Sequence, residues 1–350
     1  MQSELKNNKI DFSKLLSKKE FIIVGGSFVI ILAVLLYTFL SPNYYSSKTP
    51  VKIEISEGMP LSKIVDTLYV HQVIPSKRNF KIAIFLFGAE KRLKSGRYII
   101  PNGLSYVKLI DYFVSGHGDL LKSVKVYDGL TIKKLAAKFK IDLDIDSVAF
   151  YNMCNSRYLI DSLGLVSASS FEGFLLPGNY NFFERSDPKE IICKMFKRFK
   201  TYVNDSLEKN PKVGNYSLYQ RVIMASIING ETNKISDMPL ISGVYYNRLK
   251  KGMKLQADPT VQYLLPKWRR LLYSDLRINS PYNTYMYRGL PPGPISNPGK
   301  EALKAAYVPD RNNYLFFVAD GRGNHKFSST YSQHIKNVEE YRQWQESQEK

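Results

Sequence analysis

Phe21 to Leu40 reads FIIVGGSFVIILAVLLYTFL, an uncharged run of twenty residues. At about 1.5 Å per residue, a helix of that length spans about 30 Å, one bilayer core. It is too long for the apolar core of a signal peptide, and SPNYYSSKTP after it is a poor cleavage site. Lys6, Lys9, Lys14, Lys18 and Lys19 precede it, against Lys48 and Lys52 in the stretch that follows. That asymmetry predicts a single-pass protein with its N-terminus in the cytoplasm. Tyr44 and Tyr45 suit the far interface. In a bacterial cell the rest of the chain then lies outside the cytoplasmic (inner) membrane.

The chain is strongly basic, with a net charge of +19 and a pI near 9.6. Such a balance calls for an anionic partner: nucleic acid, lipid or an acidic polymer. No basic–aromatic nucleic-acid module stands out, and the membrane segment argues against DNA, so no nucleic acid is expected. His71, His117, His325 and His334 are scattered, so neither a metal site nor a cofactor is expected. Cys154 and Cys193 make no disulfide framework, although one bridge between them stays open. Cys193, in ICKMFKRFK, reads as a small apolar packing residue.

After residue 50, VKIEI (Val51–Ile55) alternates as a strand. Leu61 to Val70 reads as a helix. Ser76 caps another, with Phe80, Ile82, Ile84 and Phe85 inside, and Gly96 to Pro101 returns as a strand. A short plan recurs at GMPLSKI from Gly58, GLSYVKL from Gly103 and GLTIKKL from Gly129. Each is a glycine turn feeding a helix start, although chance similarity among strand–turn–helix units would look the same. Residues 124–139 give a further strand and helix, and the chain stays helical to about 170. FEGFLLPGNYNF from Phe171 reads as extended and aromatic. Pro188 to Val203 is a basic amphipathic helix whose lysines form a solvated face or contact an anionic ligand.

SLYQRVIMASIINGET, Ser217 to Thr232, reads as a helix ending on one carboxylate. Ser217 with Gln220 makes a capping-box start. Glu231 shares a helical face with Ile223, Met224, Ile227 and Ile228. A carboxyl at the end of an apolar stripe is partly desolvated and holds its proton more tightly, which makes a general acid at neutral pH. A helix-end glutamate near solvent fits the same residues. Gly230 weakens the helix there and allows another chain or a ligand to come close. Met238 to Lys250 is the next helix, closed by Gly252.

Gln256 and Asp258, in LQADPT, suit the orientation of a polar ligand, although Asp before Pro259 is also an ordinary helix start. Ser280 to Gly299, SPYNTYMYRGLPPGPISNPG, holds too many prolines for a regular element. Tyr282, Asn283, Thr284, Tyr285 and Tyr287 load it with flat rings, hydroxyls and an amide, the groups that stack on sugars and bond to acetamido groups. Long loops of this sort inside compact domains are usually functional. Tyr314 to Ala319 reads as a buried strand, Asp320 to His325 as a turn, and a helix rich in Lys, Glu and Gln ends the chain.

ASIINGET, NRLKKGMKLQADPTVQY, SPYNTYMYRGLPPGPISNPG, ALKAAYVPD and YLFFVADGRGNHKFSSTYSQH occur in order. Together they resemble the endolytic murein transglycosylases of the MltG type, the YceG-like family. The resemblance is close over 171–341 and looser over 50–120, where that family has a LysM-like subdomain. It implies an α+β fold with a cytoplasmic tail (1–20), a transmembrane helix (21–40) and a linker (41–50). A small LysM-like α/β subdomain (51–120) and a larger catalytic domain (121–345, core 171–341) follow.

It further implies cleavage of the β-1,4 bond between N-acetylmuramic acid and N-acetylglucosamine in nascent peptidoglycan strands. A 1,6-anhydro end forms without water, and strand growth stops. Glu231 falls on the family's catalytic glutamate. Many members carry a second acid where Asn229 stands, so Glu231 is the only acid of the motif here. Gln256, Asp258, Tyr282, Asn283, Thr284 and Tyr285 are the expected substrate contacts, with Glu172 as a groove residue. Glycan strands and the membrane are the implied partners, with membrane-bound peptidoglycan synthases as neighbours. Two other readings stand beside this one: a muramidase using water, with Asp258 or Asp320 as second carboxylate, and a non-catalytic glycan-binding scaffold.

Overall fold

The computed structural model describes residues 18–46, 50–209 and 213–348. Most of the tail 1–20, with Lys6, Lys9 and Lys14, lies outside the described residues, as does Lys48. The chain divides into two compact units, one ending at Leu121 and the other beginning at Lys122.

In the first unit, α1 (Lys18–Leu40) is apolar on every side and buries none of its residues. A helix so exposed is stable where its surroundings are themselves apolar, which fits a membrane anchor. Its last turn joins the folded unit: the Phe39 ring lies 6.2 Å from that of Tyr106. Residues just after it, read above as part of a linker, are bonded in place. Asn43 N–H donates to the Leu104 carbonyl at 3.1 Å. Tyr45 is buried, and its hydroxyl donates to the Ile100 carbonyl at 2.7 Å.

β1 (Val51–Ile55) alternates buried and exposed, as its sequence predicts. It is followed by α2 (Leu61–Val70), α3 (Lys77–Leu86), β2 (Gly96–Ile100) and α4 (Tyr106–Ser115). β1 and β2 pair antiparallel, Val51 opposite Ile100. Ser76 caps α3 by accepting from Asn79 N–H. Phe80 and Ile84 point inward from α3, but Ile82 and Phe85 are exposed, because they sit on the opposite face of the helix. Phe80, Tyr98, Tyr106 and Phe113 fill this unit's core.

β3 (Asp119–Val126) carries the chain across the division and begins antiparallel to β2. In the second unit come α5 (Ile132–Leu143), α6 (Ser147–Cys154), α7 (Arg157–Ser162), β4 (Gly178–Phe183) and α8 (Pro188–Tyr202). The recurring glycine plan is a structural unit. Gly58, Gly103 and Gly129 have φ of 73°, 83° and 77°, each closing a turn between a strand and a helix. At the second and third copies the hydroxyl two residues on, Ser105 or Thr131, caps the helix. The stretch from Phe171 is extended only from Gly178 onward. Phe171 to Leu176 form a buried turn, because Phe171 and Phe174 pack against Phe196 of α8.

The centre of the second unit is α9 (Leu218–Glu231). Both capping-box bonds between Ser217 and Gln220 are present. Its burial is more than a stripe: every residue from Arg221 to Ile228 is buried. Each aliphatic side chain so placed contributes about 1.5–3 kcal/mol. Around α9 pack α10 (Met238–Lys250), α11 (Asp258–Gln262) and α12 (Lys300–Tyr307). β5 (Phe316–Ala319) is half-buried, shorter than its sequence predicts, and forms a hairpin with β6 (His325–Ser328) before α13 (Tyr331–Gln348). Cys154 and Cys193 are both free thiols.

Candidate active site

Glu231 is the last residue of α9, and Thr232 after it is already extended, with φ −153°. Gly230 explains what comes next to it. A Cβ at Gly230 would lie 2.5 Å from Cβ of Pro259, so only glycine lets the start of α11 close onto the end of α9. The close neighbour anticipated at Gly230 is thus a piece of the same chain. Asp258, the first residue of α11, is brought into the electrostatic reach of Glu231.

Glu231 lines a cleft of about 1420 Å³ within the second unit. Burial pushes its carboxyl up to about 7, against the lowering effect of a hydrogen bond from Tyr245. The Asp258 charge adds to the rise, and the buried Arg248 guanidinium opposes it. Tyr245, on α10, is buried and donates from its hydroxyl to Oε1 of Glu231 at 2.5 Å. The Phe317 ring meets it edge-on at 5.8 Å. Arg248 is held in turn by the carbonyls of Leu255 and Leu315, each at 2.6 Å. With Oε1 occupied, the other oxygen of Glu231 has no protein partner among the described residues.

Of the residues singled out from sequence, Glu231, Asp258, Tyr282 and Glu172 line this one cleft. Asp258 does not cap α11; its Oδ1 accepts from the Tyr285 hydroxyl at 2.5 Å. Tyr285 therefore stands behind Asp258, outside the cleft lining. Tyr282 pairs with Tyr263, ring centroids 5.1 Å apart, as an aromatic wall.

Asn283 and Thr284 are buried and serve the loop itself. Asn283 donates to the carbonyls of Leu276 and Ile278. Thr284 Oγ1 accepts from Ala257 N–H and bonds Oγ1 of Thr260. Neither faces the cleft, because an amide and a hydroxyl satisfy buried backbone as readily as they bind sugar. Gln256 is exposed in a left-handed turn, φ 51°, and stands apart from the lining.

Glu172 is buried and tied to the fold. It accepts from Ile132 N–H at 3.0 Å and from Asn297 Nδ2 at 3.0 Å, and burial pushes its carboxyl up to about 8. Asp320 lies off the cleft and closes the β5–β6 turn. It accepts from Arg322 N–H and from both the side chain and the N–H of Asn324, which hold it down to about 2.

Three contributors were not among the site residues expected from the sequence. Tyr245 reads as one apolar position among several on α10. Asn229, on the turn before Glu231, accepts from Gly299 N–H at 3.0 Å and lines the cleft. Asn297 is fully buried and fully bonded: its Oδ1 accepts from Gly173 and Leu175 N–H, and its Nδ2 donates to Leu130 and Glu172.

Unlike Glu172, whose carboxyl is tied to the fold by Ile132 and Asn297, Glu231 has one oxygen without a protein partner among the described residues, and a carboxyl held near neutrality at a cleft can give a proton to a bound ligand and take one back. The chain is 33% identical over 340 residues to an endolytic murein transglycosylase of Bacillus subtilis strain 168, covering 91% of each chain. It is 26% identical over 341 residues to an endolytic murein transglycosylase of Streptococcus pneumoniae serotype 2 strain D39, covering 86% of this chain and 60% of that one. The crystal structure of a yceG-like protein from Listeria monocytogenes superposes with a TM-score of 0.57 at 28% identity, covering 83% of this chain and 99% of the other. Residues 53–340 match the YceG-like family, and the chain belongs to that family.

Proposed function

We propose that this protein is a membrane-anchored endolytic lytic transglycosylase of peptidoglycan, with Glu231 as its single proton-transfer group. The observation that carries the reading is the state of that carboxyl: in the lining of the cleft, held at about 7 and bonded through Oε1 to Tyr245. The transglycosylases to which the chain is similar act on the same polymer by name.

Protonated Glu231 gives its proton to the glycosidic oxygen as the bond from muramyl C1 breaks, freeing the N-acetylglucosamine 4-hydroxyl. The resulting carboxylate draws the proton from the muramyl 6-hydroxyl. That oxygen attacks C1 and closes the 1,6-anhydro ring. No water is consumed, and Glu231 ends protonated as it began. Hydrolytic glycosidases need a second carboxylate for water or for a covalent intermediate, whereas here the substrate's own hydroxyl takes that role.

In this reading α1 spans the cytoplasmic membrane with its N-terminus inside, residues 51–120 act as the LysM-like subdomain, and 121–345 as the catalytic domain. A membrane-bound glycan polymerase is the natural neighbour, because its nascent strand is the substrate.

The test is a digest of purified peptidoglycan by the detergent-solubilised full chain and by its Glu231→Gln variant, read by mass spectrometry. Anhydro-muramyl ends from the parent alone support the proposal. Reducing ends, heavier by one water, would replace it with a muramidase in which Asp258, already at the cleft, is the second carboxylate. Glycan binding without cleavage would leave a scaffold.

A further inference from the structure

One feature of the cleft takes no part in the proton transfer. Between α11 and a short turn at Asp275–Arg277, the chain from Pro266 to Tyr273 forms a loop whose first half lines the cleft. The loop is clasped. Both terminal nitrogens of Arg269 donate to the Asp275 carboxylate, at 2.6 and 2.8 Å, and Leu272 N–H donates to it at 2.7 Å. Asp275 is itself buried, so the clasp is anchored in the fold.

On that fixed loop Trp268 is 81% exposed at the cleft, with Lys267 and Arg270 on either side of Arg269 and the ring. Lys133 and Lys134, from the first turn of α5, line the same cleft from a different element. None of these four cations has an ion-pair or hydrogen-bond partner for its charged group among the described residues. The acids of the cleft, Glu231, Asp258, Glu172 and Asp128, belong to other elements and are mostly bonded or buried. Besides its bonded or buried acids, the cleft therefore has four cations without a partner among the described residues and an unstacked indole. A flat ring so exposed on a rigid loop is a binding surface.

The geometry points to a second recognition site in the cleft: Lys267 and Arg270, with Lys133 and Lys134, bind the carboxylates of the peptides that hang from the glycan, while Trp268 stacks on a sugar face. The enzyme accordingly prefers peptide-bearing strands over bare glycan. This inference rests on the transglycosylase reading for its substrate and adds the part of that substrate which is selected. Continuity with the cleft, reached from two separate elements, favours the substrate over a lipid surface as the occupant.

The experiment compares two probes: uncrosslinked glycan strands carrying their stem peptides, and the same strands stripped by an amidase. Affinities are measured with the full chain in detergent, in a Glu231→Gln background so that nothing is cut. The peptide-bearing strand should bind roughly fivefold to tenfold more tightly, the ratio that a few exposed ion pairs supply, and added salt should shrink that ratio. Lys267→Ala with Arg270→Ala should bring the ratio toward one, and Lys267→Glu with Arg270→Glu should carry it below one. Thermal unfolding of each variant checks that it is folded.

Equal affinity of the parent for both strands, or a ratio that survives both double variants, would overturn the inference. So would a defect that appears only on anionic phospholipid vesicles, which would assign the loop to the membrane. Absence of anhydro ends in the digest would overturn the reaction instead and leave this affinity comparison standing by itself.

Discussion

Oε1 of Glu231 accepts a 2.5 Å hydrogen bond from the Tyr245 hydroxyl, which leaves the other carboxyl oxygen without a protein partner among the described residues. A phenol donor is satisfied by an oxygen that carries no proton. When Glu231 is protonated, its proton therefore sits on the other oxygen. In the proposed reaction Tyr245 is a positioning residue, and its hydrogen bond lowers the proton affinity of the acid it holds.

Tyr245→Phe removes both effects. Activity should fall by about tenfold or more as the carboxyl loses its fixed orientation. The alkaline limb of the kcat–pH profile should move upward, because the donor that favoured the carboxylate is gone. A merely structural role for Tyr245 would lower activity without moving the limb.

Asp258→Asn should move the same limb the other way. The Asp258 charge raises Glu231, so its neutral replacement lets the acid ionise at lower pH. In the proposed reaction Glu231 starts protonated, so activity at pH values above about 7 should drop more than activity at pH 5. A pH profile of anhydro-end formation reads this directly.

Glu231→Gln should stabilise the protein above neutral pH. The folded-state carboxyl titrates at about 7 against an ordinary value of 4.5, so the folded chain binds the extra proton between those limits. Stability is therefore fully present below about 4.5 and is lost as pH rises through 7. The variant escapes that loss, by about 1–3 kcal/mol at pH 8 and by nearly nothing at pH 4. Thermal unfolding of parent and variant across this range measures the divergence.

Asn297→Ala should cost about 2–4 kcal/mol, since it strands the buried N–H groups of Gly173 and Leu175 and removes the donor to Glu172. The loss should appear in the unfolding midpoint of the second unit.

Gly230→Ala separates local propensity from assembly. In a free helix the change gains up to about 1 kcal/mol. Here the new methyl meets Pro259 at 2.5 Å and must push α11, with Asp258, away from Glu231. Activity should fall well beyond any change in thermal stability, and the alkaline limb should shift downward as the Asp258 charge recedes.

Much of this was written locally. Ser217 with Gln220, the glycines that precede α2, α4 and α5, and the uncharged run of α1 act through neighbours a few residues away, so their effects could be read from sequence. Asn283, Thr284 and Asn297 show where such reading stops. All three lie in one polar loop, and nothing in their side-chain chemistry distinguishes an amide that meets a sugar from one that meets a buried N–H. For Thr284 and Asn297 the difference is made by Ala257, Gly173 and Leu130, which the fold brings from as many as 167 positions away, whereas Asn283 closes its own loop onto Leu276 and Ile278. Tyr245 was obscured for a different reason: a phenol on a buried helix face looks like packing until the partner of its hydroxyl is known.

The bonds made by Asn43 and Tyr45 bear on how far this protein can reach. The apolar helix ends at Leu40, and Asn43 is already fixed to the folded unit. Three residues of chain span at most about 10 Å. If α1 is seated in a bilayer, as proposed, the first unit is held within that distance of the lipid and has no long tether on which to drift.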